Sequence, residues 1–482
     1  MVYKIPKIST KVYVFILYVL VFSVFIGAAL YIIMIAKGYR FDFKNRSIRK
    51  TGMIILVSRP SGADIYLNDK KLSKKTGFSL FPAKISNLDP GKYKVLVKKE
   101  GYKDWQKTIE VKEELVSWAN YILLIPEKPT KKESIKNIDI SNISISPNKR
   151  KIAYIIKNNN LSILDIQSEE SELLKIPQIQ NETEILNLDW NLDSTRLLLT
   201  IKNVDKTNYL VINTNDLNDF SLISDEYSNL SWSKNNSKEL FALKNKSLYK
   251  IDVGEVLNPA LLSENIISYT FTSGKIIFAA YSEKQNSLFS MDLNGENKEE
   301  ISDLPYSESY KLSYSKKLDG TAVVVERTQN LFYIYKFGNQ TITRKMGQNI
   351  KDSLWSNEGK QLLYWGEDFA FVYNFDQENE KEYPLFSGQK INYLHWYFDE
   401  YHLVLSSENK LKILEFDGGN ITEMSSIVTT SKVEYLEDYK TFFYLDKSKD
   451  SETISLYALK LDPEEEKTTT RKSLLGRIIS WF

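Results

Sequence analysis

The chain of 482 residues contains no cysteine. Disulfides, thiolate metal sites and cysteine nucleophiles are therefore excluded together. Histidine is nearly absent as well: His395 and His402 are the only two. They stand without the further ligands of an H-E-x-x-H or comparable pattern, so both read as structural. An excess of charge of one sign is lacking, since 64 Lys and Arg face 62 Asp and Glu for a net charge of +2. That balance gives no electrostatic footprint for nucleic acid. The sequence has no G-x-S-x-G elbow and no D-x-[DN]-x-[DN]-G calcium loop. A carboxylate pair for glycoside hydrolysis needs only to meet in space, and with so many acids such pairs carry no information. The expectation is a non-enzymatic protein that binds, with no metal and no cofactor.

What is present first is a long apolar run. Val12 to Ala36 is interrupted only by Ser23 and Gly27, and about 25 residues at 1.5 Å each suffice to cross a bilayer core of roughly 30 Å. A cleaved signal peptide has an apolar stretch of about 7–15 residues, whereas here Gly27-Ala28-Ala29 leads into further apolar chain. The run therefore reads as an uncleaved anchor in the cell membrane, with the lipid bilayer as its partner. Lys4, Lys7 and Lys11 precede it, and Lys37, Arg40, Lys44, Arg46, Arg49 and Lys50 follow it. The charge count pulls the second flank inward, but long folded regions translocate largely regardless of charge. Residues 1–11 are read as a cytoplasmic tail, 12–36 as a single transmembrane helix and the bulk as extracytoplasmic.

Residues 50–126 alternate and turn like a compact β-sandwich. Met53 to Ser58 is a strand, Arg59-Pro60-Ser61-Gly62 a turn, and Ala63 to Leu67 the next strand before an Asn68-Asp69-Lys70 hairpin. Asp89-Pro90-Gly91 turns into the alternating Tyr93 to Val97, and Gly101-Tyr102-Lys103-Asp104-Trp105 makes a corner. Ser58, Pro60, Gly62 and Ala63, then Leu88, Pro90 and Gly91, then Lys99, Gly101, Tyr102 and Trp105 follow the phrases S-x-P-x-G-A, L-x-P-G and K-x-G-Y-x-x-W. In these the segment resembles a PEGA domain, although Asp69-Lys70 replaces the usual turn glycine and Lys75-Thr76-Gly77-Phe78 loosens a G-x-T-P. The resemblance implies a small sandwich of surface or envelope proteins without catalytic residues. Tyr102 and Trp105 read either as corner packing or as an exposed aromatic pair.

Residues 127–138, rich in Pro and Lys, read as a linker. Beyond them, over 139–461, one phrase recurs about every 40 residues, the period of four-stranded propeller blades. Its anchors are Ile145, Trp190, Trp232, Phe271, Tyr314, Trp355, Trp396 and Tyr435. Each precedes a polar turn, a strand such as Leu197 to Thr200 or Leu403 to Leu405, a third strand such as Leu161 to Asp165 or Leu411 to Glu415, and a fourth expected to be short and polar. Even spacing favours a propeller over a solenoid or stacked sandwiches. Trp355-Ser-Asn-Glu-Gly-Lys-Gln-Leu-Leu-Tyr364, Ser146 to Tyr154 and Leu288 to Gly295 resemble the TolB-like, WD-type repeat, which implies architecture and no particular partner. The fold class is thus mainly β: a transmembrane helix, a PEGA-like sandwich, then a β-propeller of seven or eight blades, eight preferred.

The expected function is that of a membrane-anchored scaffold of the bacterial cell envelope, whose propeller face grips a protein or a cell-wall glycan. The alternative is a sensory ectodomain acting through a membrane partner, and a propeller hydrolase ranks below both. After a polar spacer at 462–470, residues 471–482 place Leu474, Leu475, Ile478, Ile479 and Phe482 at helical spacing, with Arg471, Lys472 and Arg477 beside them and Trp481 next to last. This pattern suits a membrane-surface helix or one docked on a folded domain. Replacing Ile478 and Ile479 by Asp is expected to release an anchor-deleted chain from sedimented membranes, and unchanged sedimentation would rule out the surface-helix reading.

Overall fold

The computed structural model describes residues 10–36, 39–42 and 47–461, apart from 137, 158–159, 177–178, 180–182, 204–205, 255–256, 273, 282–284, 316–320, 327–330, 337–340, 346–348, 376–380, 429–431, 437–439 and 449–450. The chain divides into two compact units, Met1–Lys128 and Pro129–Phe482.

The first unit opens on a helix, Thr10–Ala36, which includes the apolar run and has its apolar side chains exposed. By length and composition Val12–Met34 could cross a membrane. A hairpin of Tyr39–Asp42 with Ser47–Lys50 follows, an element that the sequence reading left unassigned. Two strands of four residues are too short to show a period.

The sandwich packs a three-stranded sheet (Ala83–Leu88, Gly52–Arg59, Val116–Leu123) on a four-stranded one (Lys70–Lys75, Asp64–Leu67, Gly91–Lys98, Trp105–Val111). Alternation sends Ile54 and Leu56 from one sheet, and Ile65, Val95 and Val97 from the other, into a shared core. Burying each such side chain contributes about 1.5–3 kcal/mol. The hairpin turn holds Asn68 and Asp69 at φ 47° and 66°, the left-handed pair that a two-residue turn requires and that Asn and Asp tolerate best.

The described residues of the second unit form eight four-stranded antiparallel sheets. In seven of them the strands lie side by side in chain order, spanning 140–174, 183–223, 228–263, 266–304, 310–345, 352–387 and 393–426. The eighth is composite: Val433–Leu436, Thr441–Lys447 and Ile454–Lys460 are completed at the outer edge by Thr130–Ile135. The linker expected at 127–138 is thus corrected, because much of it is a strand paired with Ile454–Lys460. Its lysines hid it, since an edge strand can carry charge along its free side. One of them, Lys131, bonds Asp446 at 2.8 Å and lies over the Tyr457 ring. Burial works against its ammonium, but Asp446 and Tyr444 together outweigh that and raise the pKa. The fourth strands are also not uniformly short, ranging from the four residues of Ser171–Leu174 to the eight of Asp216–Ile223.

Four of the polar turns after an anchor close in one way, whereas Ser233 donates its N–H to the Glu239 carbonyl and Thr272 to that of Lys275. Ser146, Ser356 and Tyr397 donate their backbone N–H to the carbonyls of Lys151, Gln361 and His402. Asn191 does the same to Arg196 and accepts two further backbone N–H bonds at its side-chain oxygen. Four residues beyond the anchor the backbone is left-handed: Lys149 at φ 61°, Ser194 at 65°, Gly359 at 72° and Glu400 at 61°. A side chain there costs about 1–2 kcal/mol that glycine avoids, partly offset by the freedom glycine has when unfolded. Lys149→Gly, at an exposed turn, is expected to stabilise the propeller by about 0.5–1 kcal/mol, read as a raised melting temperature.

Candidate functional site

The anchors share one place in the structure. Ile145, Trp190, Trp232, Phe271, Tyr314, Trp355 and Trp396 each end the first strand of their sheet, and Tyr435 is next to last in Val433–Leu436. Trp190, Trp232 and Trp396 are buried. Their indole N–H groups donate backwards to the preceding sheet, to the carbonyls of Ser144 at 3.0 Å, Asp189 at 3.2 Å and Leu354 at 3.0 Å. Each acceptor stands one residue before the preceding anchor, so the repeat also specifies how neighbouring sheets join. Trp355 instead packs on Phe375, and its buried indole nitrogen has no partner among the described residues. Tyr435 joins Tyr397, Phe398 and Phe442 in an aromatic cluster. A second set of bonds links turn to turn: Asn148 N–H to Ser194 Oγ at 3.0 Å, and Asn191 Nδ2 to the Ser237 carbonyl at 3.0 Å.

Between the first strands of the second to fifth sheets lies a cavity of about 770 Å³. Its apolar lining includes Pro147, Leu192 and Leu312, and its polar lining Asp189, Ser231 and Lys311. Lys311 is tied to Asp352 on the next sheet. Tyr269 bonds Ser231 at 3.0 Å and the Phe241 carbonyl at 2.8 Å, and burial pushes its hydroxyl pKa up. Asp189 opens to the cavity lumen yet is surrounded by protein. That burial raises its carboxyl pKa, opposed by Lys432, 243 positions later in the chain and also paired with Glu434 at 3.0 Å. The two histidines lie elsewhere. His402 Nδ1 meets Asp399 at 2.8 Å, and His395 stacks against Tyr393. Among the described residues no cluster of His, Asp and Glu could hold a metal ion. This cavity can bind through shape, hydroxyls and a few charges.

Comparison with known proteins separates the two units. The PEGA domain matches residues 51–124. Residues 51–124 form a PEGA domain. Among solved structures the repeat unit is similar to the Dos1 propeller, with a TM-score of 0.50 at 16% identity over 69% of this chain and 95% of that one. It is also similar to the C-terminal WD40 domain of Sif2 (0.47, 10%, covering 69% and 99%) and to an oligogalacturonate lyase in complex with manganese (0.42, 13%, covering 70% and 98%). The first of these likenesses, with the eight sheets, makes the repeat unit a β-propeller. No curated protein matches the chain.

Within the PEGA domain the motif residues are structural. Ser58 Oγ bonds Thr76 Oγ1 at 2.6 Å and the Pro60 carbonyl at 2.7 Å, while Thr76 Oγ1 accepts from the Ala63 N–H at 2.9 Å. Thr76 is thus the part of the loosened G-x-T-P that holds the turn. Gly62 and Gly101 take φ 78° and 77°. Gly91 begins the strand Gly91–Lys98 that the Pro90 turn leads into. Trp105 is 2% exposed and Tyr102 packs on the same core, which decides for corner packing over an exposed pair. Leu474, Leu475, Ile478, Ile479, Trp481 and Phe482 lie outside the described residues.

Sequence reasoning did not find Asp189 or Tyr269 as cavity groups, nor Lys432 as a charge near Asp189. Asp189 and Tyr269 stand one and two residues before anchors, so the repeat register was the available signal, but spacing alone cannot say which sheets enclose a space. Because the folded state raises the Asp189 pKa, it holds that proton more tightly than the unfolded chain does. Its effect is therefore absent below the unfolded value of about 3.9 and becomes destabilising as pH rises through the folded value. Asp189→Asn is expected to raise the melting temperature at pH 7 and to leave it unchanged at pH 3.

Proposed function

We propose that the protein is a non-enzymatic scaffold of the cell envelope, held by its N-terminal helix with the PEGA domain and propeller outside, and that the cavity mouth grips a protein or glycan partner. A propeller joined to a PEGA domain fits a binding or scaffolding role. The observation that carries the reading is the cavity itself: first strands from four sheets converge on one concave space with apolar and hydroxyl groups. Concave, mostly preformed sites of this kind are where ligands bind, and loops gathered from several blades give a broad surface.

Export of the bulk rests on the apolar helix Thr10–Ala36 and on the PEGA domain that follows it. Protease added to intact cells is expected to cut at an epitope in the Asp292–Asn297 turn. Protection that persists through osmotic shock and ends only with detergent would overturn export. Leu192, 51% exposed and lining the cavity, offers the binding test. Leu192→Asp is expected to abolish capture of the partner recovered with the wild-type chain, without moving the melting temperature. Capture that survives this change and Lys234→Glu would place binding on another face.

A further inference from the structure

Most large apolar side chains of the PEGA domain are inside, but two places depart from this: the Phe78, Leu80 and Phe81 turn, and one edge of the three-stranded sheet. On the strand Val116–Leu123, Val116 is 42% and Trp118 57% exposed, and the adjoining Leu115 is 56% exposed. The alternation explains their direction. Ala119 and Ile122 enter the core, Ser117 donates to the Glu110 carbonyl of the other sheet at 2.6 Å, and Val116 and Trp118 point away from it. The strand is the last in its three-stranded sheet, paired only with Gly52–Arg59. It carries no Lys or Pro of the kind that usually protects a free edge. An apolar edge with an exposed indole needs an occupant.

Its place in the unit names one. Met34 of the helix lines a cleft with Arg49 and Lys50 of the hairpin and with Asp89, Pro90 and Glu113 of the sandwich. The turn carrying Glu113 runs directly into Leu115, whose carbonyl accepts the Met53 N–H at 3.2 Å. Leu115, Val116 and Trp118 therefore stand at the end of the sandwich that the helix enters, within about 10 Å of one another along an extended strand. The carboxylates there are largely neutralised in pairs, Asp89 with Arg49 at 3.3 Å and Glu114 with Lys50 at 3.0 Å. Uncompensated, they would be repelled by an anionic surface. Trp belongs at a bilayer interface, where the ring is buried and the N–H stays wet.

We propose that Leu115, Val116 and Trp118 seat the PEGA domain in the headgroup region of the bilayer, so that the domain rests edge-on against the membrane rather than swinging on the hairpin. This rests on the reading of Thr10–Ala36 as a membrane anchor. The opposite end of the domain, where Gly77 bridges Val57 at the far end of the central strand, is apolar too, with Phe78, Leu80 and Phe81 exposed, but it lies away from the helix and would stay out of the bilayer.

The absence of cysteine makes the test direct. Full-length Phe22→Cys, Val116→Cys and Leu80→Cys chains would each be labelled with an environment-sensitive thiol dye. They would then be reconstituted in vesicles of phosphatidylethanolamine and phosphatidylglycerol carrying spin-labelled lipids. The expected result is a Phe22 probe quenched by label deep in the acyl chains, a Val116 probe blue-shifted and losing most of its emission to label near the headgroups, and an unquenched Leu80 probe. A quenched Phe22 probe with an unquenched Val116 probe would overturn the seating while leaving the anchor intact. An unquenched Phe22 probe would overturn both. Equal quenching at Val116 and Leu80 would show the domain lying flat and would overturn the edge-on placement.

Discussion

A propeller sheet has two apolar faces and cannot bury either by itself, and the second unit is arranged around that constraint. In Lys151–Ile156 the consecutive residues Ile152, Ala153, Tyr154 and Ile155 are all buried, so neighbours must cover both faces. The cores accordingly lie between sheets rather than within them. Trp190 and Leu197 of the second sheet pack with Ala153 and Leu161 of the first, and Ile152 and Tyr154 of the first pack with Phe443 and Leu456 of the composite eighth. That last seam needs the two ends of the repeat unit to meet. Thr130–Ile135 supplies the pairing, and Lys131 reaching Asp446 supplies the charged contact.

The same constraint shapes what the propeller can bind with. First strands leave one edge unpaired, and buried backbone groups need partners. Anchor tryptophans meet part of that need by donating to the carbonyl before the previous anchor. The indole N–H groups of these anchors are thereby committed to seams, while the rings of Trp190 and Trp232 also line the cavity. The cavity lining combines aromatic rings and leucines with serine, threonine and asparagine hydrogen-bonding groups and with charges such as Lys311, which Asp352 holds. This chemistry suits recognition by shape and hydrogen bonding, in line with a scaffold.

The PEGA domain solves a different problem at small size. Its core is shared by two sheets, and its turns are locked by single polar contacts, Ser58 with Thr76 above all. Gly77 is required because a Cβ there would fall 1.9 Å from the Phe81 carbonyl oxygen. With the core satisfied, the apolar Leu115, Val116 and Trp118 at the helix-proximal end are surplus to folding, which is why they invite a functional account.

The sequence by itself determined the classes of element and the spacing of the repeats. A 25-residue apolar run, alternation at Tyr93 to Val97 and anchors at even spacing are local patterns, and local patterns follow from backbone geometry that every residue shares. It also specified the PEGA turns, because Gly62, Gly101 and Asn68 answer to φ values set within a few residues. Only the tertiary structure decided the rest. Thr130–Ile135 looks like a linker until its partner, more than 300 residues away, lies beside it. Asp189 is one acid among many until four sheets enclose a cavity around it and Lys432 comes near. Trp105 and Trp118 are the same residue type 13 positions apart, yet one is core and the other open. Burial is a property of what the folded chain places opposite a side chain, and no window of neighbours along the sequence contains that information.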